Sequence, residues 1–96
     1  MFIIILKYKK PLEFVDQYVK IHRAFLDQCY KNNYFVASGP QNPRTGGVII
    51  SHLKDRERLE KILKDDPFYT YEIADYELIE FNPIKYHPDF EKFIGC

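Results

Sequence analysis

The feature that most constrains the fold is an unbroken apolar run near the start of the chain, FIIIL at residues 2–6. Its isoleucines favour a β-strand, and the lack of polar alternation is typical of a strand that is buried on both faces. The run is too short to cross a bilayer, and neither a basic region nor a cleavage site of a signal peptide accompanies it. We therefore expect a soluble, cytoplasmic protein built around a β-sheet.

Helix and strand patterns alternate along the rest of the chain. Pro11 suits a helix start, and apolar residues recur at helical spacing to about residue 30, before a polar stop at residues 31–33. Residues 34–38 and 47–53 have strand character, and the stretch between them is dense in turn-forming residues, which predicts an exposed hairpin loop. Asp55 is a candidate N-cap of a short helix that ends near residue 65, and residues 72–81 form the last predicted strand.

The order βαββαβ predicts an α+β, ferredoxin-like fold, in which a four-stranded antiparallel sheet carries both helices on one face. We expect a single domain over residues 1–96, with a core at 1–83 and a C-terminal tail at 84–96. The sheet face away from the helices is not consistently polar, since Val48, Ile49 and Ile50 follow one another. Such an uncovered apolar surface indicates an interface, so we predict an isologous homodimer that packs sheet face on sheet face.

Composition excludes several classes of function. The chain has 14 basic and 14 acidic side chains, so it lacks the basic excess of a nucleic-acid-binding protein. Cys29 and Cys96 have no CxxC spacing and are expected to be free thiols in a reducing compartment. His52 and His87 are not spaced with His22 as metal ligands usually are, and we predict no metal, no cofactor and no membrane partner.

His22 interrupts the apolar stripe of the first helix. The stripe consists of Val15, Tyr18, Val19, Phe25, Leu26 and Cys29, and His22 falls in its middle. An imidazole at such a position either finds buried hydrogen-bond partners, such as a backbone carbonyl, or faces a cavity that holds a polar group. The sequence leaves both possibilities open.

Four short motifs occur in a characteristic order. They are His22-Arg23 within residues 19–26, Ser38-Gly39-Pro40 after a short strand, Gly46-Gly47 at the start of the next strand, and Asp66-Pro67-Phe68 after the second helix. Together they resemble the YCII-related (YciI-like) family over about residues 1–86. This resemblance implies a ferredoxin-like fold that dimerises as an α/β barrel, with a pocket in each subunit lined by His22 and Asp66. One branch of that family is associated with dehydrochlorination of a chlorinated aromatic ring.

A histidine whose ring nitrogen donates to a carboxylate has one tautomer fixed, and its other nitrogen can exchange protons near neutral pH. His22 and Asp66 are candidates for such a catalytic pair, although Asp66 is equally well placed to cap the turn before Pro67. Ser38 is a weak candidate nucleophile, because a hairpin rather than a strained elbow follows it. Ser51 is expected on the far side of the third strand.

Other residues are candidate ligand contacts, each with a structural alternative. Arg23 is either a solvated or interfacial charge or an anion-binding group at the pocket rim. Gly39 and Pro40 belong to the matched turn, and Gly39, Gly46 and Gly47 either offer backbone N–H groups to an anion or serve turn geometry. Five aromatic side chains either line an aromatic-binding pocket or belong to the core and the dimer interface: Tyr8, Phe25, Tyr34, Phe68 and Tyr69.

Two functions remain open at this level. The first is a cofactor-free small-molecule enzyme, in which His22 acts as a general acid or base in an elimination or a hydrolysis on a small anionic or aromatic substrate. The second is a non-catalytic dimeric module that uses the same pocket to bind a metabolite or to regulate. Turnover that depends on His22 distinguishes the first from the second.

Overall fold

The strands form one four-stranded antiparallel sheet with the order β2-β3-β1-β4. In the computed structural model, which describes residues 1–94, they are β1 (Phe2–Tyr8), β2 (Phe35–Pro40), β3 (Gly46–Ser51) and β4 (Ala74–Glu80). This topology confirms the ferredoxin-like α+β prediction. The prediction that Cys96 is a free thiol lies outside the described residues.

β1 alternates between a fully buried and a partly buried face. Phe2, Ile4 and Leu6 are 0–2% exposed and point to the helices, whereas Ile3 and Ile5 are only partly buried on the opposite face. The prediction that the first strand is buried on both faces is therefore wrong for the single chain, because its helices cover only one side of the sheet. The face that carries Ile3 and Ile5, which we call the open face, continues through neighbouring strands.

The helices differ from the prediction at two points, because the first predicted helix is divided and a further short helix follows the second. They are α1 (Leu12–Val15), α2 (Val19–Lys31), α3 (Arg56–Leu63) and α4 (Pro67–Thr70). The prediction of a single first helix is wrong. The N–H groups of Gln17 and Tyr18 donate to the carbonyls three residues back, those of Phe14 and Val15, and so tighten the chain into a turn. The predicted end of this helix at the polar residues 31–33 is correct, since α2 ends at Lys31 and Asn33 has a left-handed φ of 63°.

A β-bulge in β2 decides which way Ser38 faces. The register shifts between Phe35 and Ala37, so that Ser38 lies opposite Ile49 on the helix-covered face. Ser51 is two residues beyond Ile49 in β3 and therefore shares that face, where its hydroxyl donates to the carbonyl of Tyr34 at 2.8 Å. The expectation that Ser51 lies on the far side of its strand is wrong, because Ser51 pairs with Phe2, whose side chain is on the covered face.

The tail contacts the chain just beyond the end of β3. A 3₁₀-helix spans Pro88–Phe93, and the ring of Phe93 contacts the buried His52 edge to face at 5.7 Å between centroids. Within residues 1–94, no helix is long and apolar enough to span a membrane.

Candidate active site

His22 lies on α2 with its ring stacked flat against Phe68, the second residue of α4. The ring centroids are 3.9 Å apart and the planes differ by 2°. The imidazole side chain is 13% exposed, so the stack and the adjoining apolar groups shield it from bulk water while one edge stays accessible. The histidine is thus held in one orientation by contact between two helices that are far apart in the sequence.

Asp66 performs two functions with one oxygen atom. It is the N-cap of α4, where Oδ1 accepts from the backbone N–H of Phe68 at 3.0 Å, and the same Oδ1 lies 2.7 Å from Nδ1 of His22. The carboxyl group is completely buried. An ionised carboxylate only accepts hydrogen bonds, so with Asp66 in this form Nδ1 of His22 is the donor and Nε2 is left for a ligand. The cap and the pair, which the sequence offers as alternatives, occur together.

Tyr76 in β4 is a third member of this group, and the sequence reasoning missed it. Its hydroxyl donates to Oδ2 of Asp66 at 2.6 Å, so both carboxylate oxygens are occupied. Burial, together with the negative charge of Asp66 and the hydrogen bond to it, raises the pKa of Tyr76 well above its ordinary value. The sequence does contain a signal for this role. Ala74, Tyr76 and Leu78 are alternate residues that share one face of the predicted strand, and a tyrosine at an inward-facing position needs a polar partner.

A cavity of about 470 Å³ opens beside His22, between α2, the β2–β3 hairpin and the covered face of β1 and β3. Its walls include most of the candidate residues, namely Tyr8, His22, Arg23, Ser38, Gly39, Pro40, Gly47 and Phe68. Asp66 lies behind the stack of His22 on Phe68 and outside the wall. The structure therefore brings most of the candidate ligand contacts together at one place.

Three of the five candidate aromatic residues lie outside this cavity. Phe25 packs edge-on against Phe35 in the core, and Tyr34 lies under the guanidinium of Arg58 at 5.1 Å. Tyr69 is half exposed and packs against the ring of Tyr76 on the other side of Asp66. These three side chains follow the structural alternative and do not line the cavity, because aromatic character alone does not indicate which side of an element a ring occupies.

Two potential nucleophiles near the site are occupied or unreactive. Ser38 Oγ accepts a hydrogen bond from the hydroxyl of Tyr30 at 2.7 Å, and no bond joins it to His22 in the described part of the chain. Burial and the carboxylates of Asp66 and Asp65 raise the pKa of Cys29 to about 12, which keeps its thiol protonated. Proton transfer by His22 is the chemistry that this arrangement favours.

The remaining polar groups at the cavity are balanced in charge. Arg44 donates to Asp16, and its guanidinium lies 5.9 Å from the ring of Tyr8. Arg23 and Asp27 add one further charge of each sign on α2. Among residues 1–94 there is no cluster of three or more histidine, cysteine, aspartate or glutamate side chains suited to a metal ion.

Comparison with known proteins gives a family and a fold. The model of the YCII-related domain matches residues 1–82. A solved structure, 5-chloro-2-hydroxyhydroquinone dehydrochlorinase from Burkholderia phenoliruptrix AC1100 in complex with 2,5-dihydroxybenzoquinone, is similar with a TM-score of 0.69. The two chains are 16% identical, and the match covers 84% of this chain and 93% of the other. No curated protein sequence matches.

Proposed function

The chain belongs to the family of YCII-related domains, and we propose that it is a small-molecule enzyme that catalyses an elimination with a His22–Asp66 proton-transfer pair. The observation that carries this proposal is the 2.7 Å contact between His22 Nδ1 and Asp66 Oδ1 at the wall of a cavity. Asp66 orients the ring and stabilises its protonated form, so that Nε2 of His22 exchanges a proton with a bound molecule.

Elimination requires only groups that the site provides. Nε2 of His22 takes a proton from the substrate, the electrons left behind form a new double bond, and the leaving group departs with its bonding pair. No electron is gained or lost overall, so the reaction needs no redox cofactor. A hydrolysis through Ser38 is less well supported, because its oxygen is bonded to Tyr30 and not to His22.

The walls of the cavity favour a planar substrate with both apolar and polar edges. Leu6 and Ile49 of the sheet and Val19 and Leu26 of α2 supply aliphatic surface, and Arg23 supplies a cation. A small aromatic molecule that carries a hydroxyl or anionic group fits this combination. The similar fold of a dehydrochlorinase supports elimination of chloride from such a ring as the first reaction to test.

Release of chloride tests the proposal. The protein is incubated with 5-chloro-2-hydroxyhydroquinone and related chlorinated hydroquinones, and free chloride is measured over time. We expect turnover in the wild type and a rate lower by about 10²- to 10⁴-fold in His22→Ala, as is typical when a general base is removed. Ser38→Ala is the matched control, and an elimination leaves its rate largely unchanged.

Two outcomes oppose this function. A loss of rate in Ser38→Ala as large as in His22→Ala indicates a serine-dependent hydrolysis instead. Saturable binding of the chlorinated rings without chloride release, unaltered in His22→Ala, indicates the non-catalytic binding module. Thermal unfolding of each variant establishes that the protein is folded in every comparison.

We also propose that the working form is a cytoplasmic homodimer that joins through the open face. Ile3, Ile50 and Ile79 lie side by side there, across β1, β3 and β4. Ile79 is 41% exposed in the single chain, which leaves apolar surface in contact with water. The free thiol of Cys29 is compatible with a reducing compartment.

A further inference from the structure

Asp66 is a buried carboxyl group that contacts three polar groups from three parts of the fold. Nδ1 of His22 and the N–H of Phe68 bond to Oδ1, and the hydroxyl of Tyr76 bonds to Oδ2. The carboxyl group has no exposure to water, so these donors replace its hydration. Of the three, only Tyr76 belongs to neither the proposed pair nor the backbone of the cap.

The hydroxyl of Tyr76 acts as a permanent donor. Its raised pKa keeps the phenol protonated at every pH where the protein is expected to work. It is also fixed in place, because β4 pairs Tyr76 with Leu6 of β1, and the ring packs against Tyr69 at 6.0 Å between centroids. The hydrogen bond to Oδ2 is therefore set by the sheet and not by a mobile loop.

We propose that Tyr76 is a positioning residue that sets the pH at which the His22–Asp66 pair takes up its proton. When the pair is unprotonated, the imidazole is neutral and the buried carboxylate carries a net negative charge, which the hydrogen bond from Tyr76 stabilises. Uptake of one proton cancels that charge, whether the proton resides on the ring or on the carboxyl group. Removal of the hydroxyl therefore favours the protonated pair and raises the midpoint pH of proton uptake.

The other ionisable groups near the pair are the same in the wild type and in a variant that lacks the hydroxyl of Tyr76. Those that line the cavity beside His22 are Tyr8, Asp16, Arg23, Asp27, Tyr30 and Arg44. On the buried side, the carboxylates of Asp65 and Asp66 both act on the thiol of Cys29. The ionisable groups beside Tyr76 are Lys9, Tyr69, Glu72 and Asp75. Neither a charge nor a hydrogen bond of these groups depends on the hydroxyl of Tyr76.

The catalytic consequence rests on the proposed function, but the titration itself does not. The experiment follows the ring resonances of His22 by NMR from pH 4 to 10 in the absence of any substrate, with His22→Asn used to assign them. In Tyr76→Phe we expect the midpoint to rise by up to about one pH unit, because the hydrogen bond stabilises the negatively charged pair more than the neutral one. Tyr69→Phe removes the neighbouring hydroxyl and should leave the midpoint in place.

A second variant should shift the midpoint in the opposite direction, and it keeps every carbon and oxygen atom of the tyrosine side chain. Site-specific 3-fluorotyrosine at position 76 has a more acidic phenol and is a stronger donor, so it should lower the midpoint. A midpoint that is unchanged or lower in folded Tyr76→Phe overturns the proposal. If Tyr76→Phe does not fold, a fluorotyrosine variant whose midpoint is unchanged or higher overturns it.

The rate measurement separates this role from simple structural support. If chloride release is found, the rate of Tyr76→Phe should fall near neutral pH and return toward that of the wild type at higher pH, following the NMR midpoint. A variant damaged only in structure is slower at every pH. If no turnover is found, the proposed function fails, while a shifted NMR midpoint still upholds the role of Tyr76.

Discussion

At the scale of single residues, the site depends on atoms that serve more than one partner. Oδ1 of Asp66 caps α4 and also holds the ring of His22, so the start of the helix and the orientation of the imidazole depend on the same carboxylate. A substitution at Asp66 therefore affects both the fold and the proposed chemistry. Tyr76 contacts only the other oxygen, Oδ2, and is for this reason the cleaner position at which to probe the pair.

Gly46 is the position at which the neighbouring backbone leaves no room for a side chain. A Cβ atom there would overlap the carbonyl oxygen of Leu6, whereas nothing lies within 4 Å of a Cβ at Gly39. We expect Gly46→Ala to lower the free energy of unfolding by about 3 kcal/mol or more, because a backbone atom has to move. Urea denaturation measures this.

The matched control is Gly39→Ala, for which we expect a change within about 0.5 kcal/mol. Neither glycine has a positive φ, so the need for glycine at position 46 comes from close packing between β1 and β3 and not from turn geometry. Equal losses of stability in the two variants would show that this explanation is wrong.

At the scale of elements, hydrogen bonds at the ends decide where the helices begin. The side chain of Asp55 accepts from the N–H groups of Glu57 and Arg58, which satisfies two donors that α3 leaves unpaired. The turn between α1 and α2 has no comparable side-chain signal, and its hydrogen bonds three residues back are visible only in the folded chain. The N-cap of α3 was therefore predictable, and the break before α2 was not.

The cap of α3 makes a quantitative prediction. Asp55→Ala removes both side-chain hydrogen bonds and should lower the free energy of unfolding by about 1 kcal/mol. Asp55→Asn keeps an oxygen acceptor in the same place, and asparagine is as good an N-cap as aspartate, so its stability should stay close to the wild type. Chemical denaturation of the two variants in parallel tests this, and an equal loss in both would assign the effect to charge instead of capping.

At the scale of the whole molecule, the two faces of the sheet have different surroundings. The helices cover one face and create the cavity beside His22, while the described part of the tail contacts His52, just beyond the end of β3. No tail residue lines the cavity among the residues that the structure describes. The proposed homodimer joins through the open face, on the side of the sheet away from the cavity.

The homodimer can be tested at Ile79, which is on the open face. Ile79→Lys places like charges near each other across the proposed interface, so it should convert a dimer at micromolar concentration into a single chain. Ile84→Lys is the control, since Ile84 is 85% exposed in the tail and its replacement should leave the dimer intact. Sedimentation equilibrium measures the mass of each, and a wild type with the mass of one chain would contradict the proposal.

The sequence by itself determined what local and periodic signals encode. The order of strands and helices, the N-cap at Asp55 and the open apolar face follow from residue type and spacing, because each depends on side chains near one another in the chain. His22 was identified as an interruption of an apolar stripe. Asp66 came instead from a family resemblance, since no local pattern links two residues 44 positions apart.

Only the tertiary structure decided how the distant segments meet. The bulge that turns Ser38 to the covered face, the cavity that includes Tyr8 and excludes Tyr34, and the hydrogen bond from Tyr76 to Asp66 all depend on strand register and on packing between elements. A shift of one residue in a strand moves every side chain to the other face, so such contacts are not encoded in residue type. The site exists because β4 and α4 place Tyr76 and Asp66 behind the ring of His22.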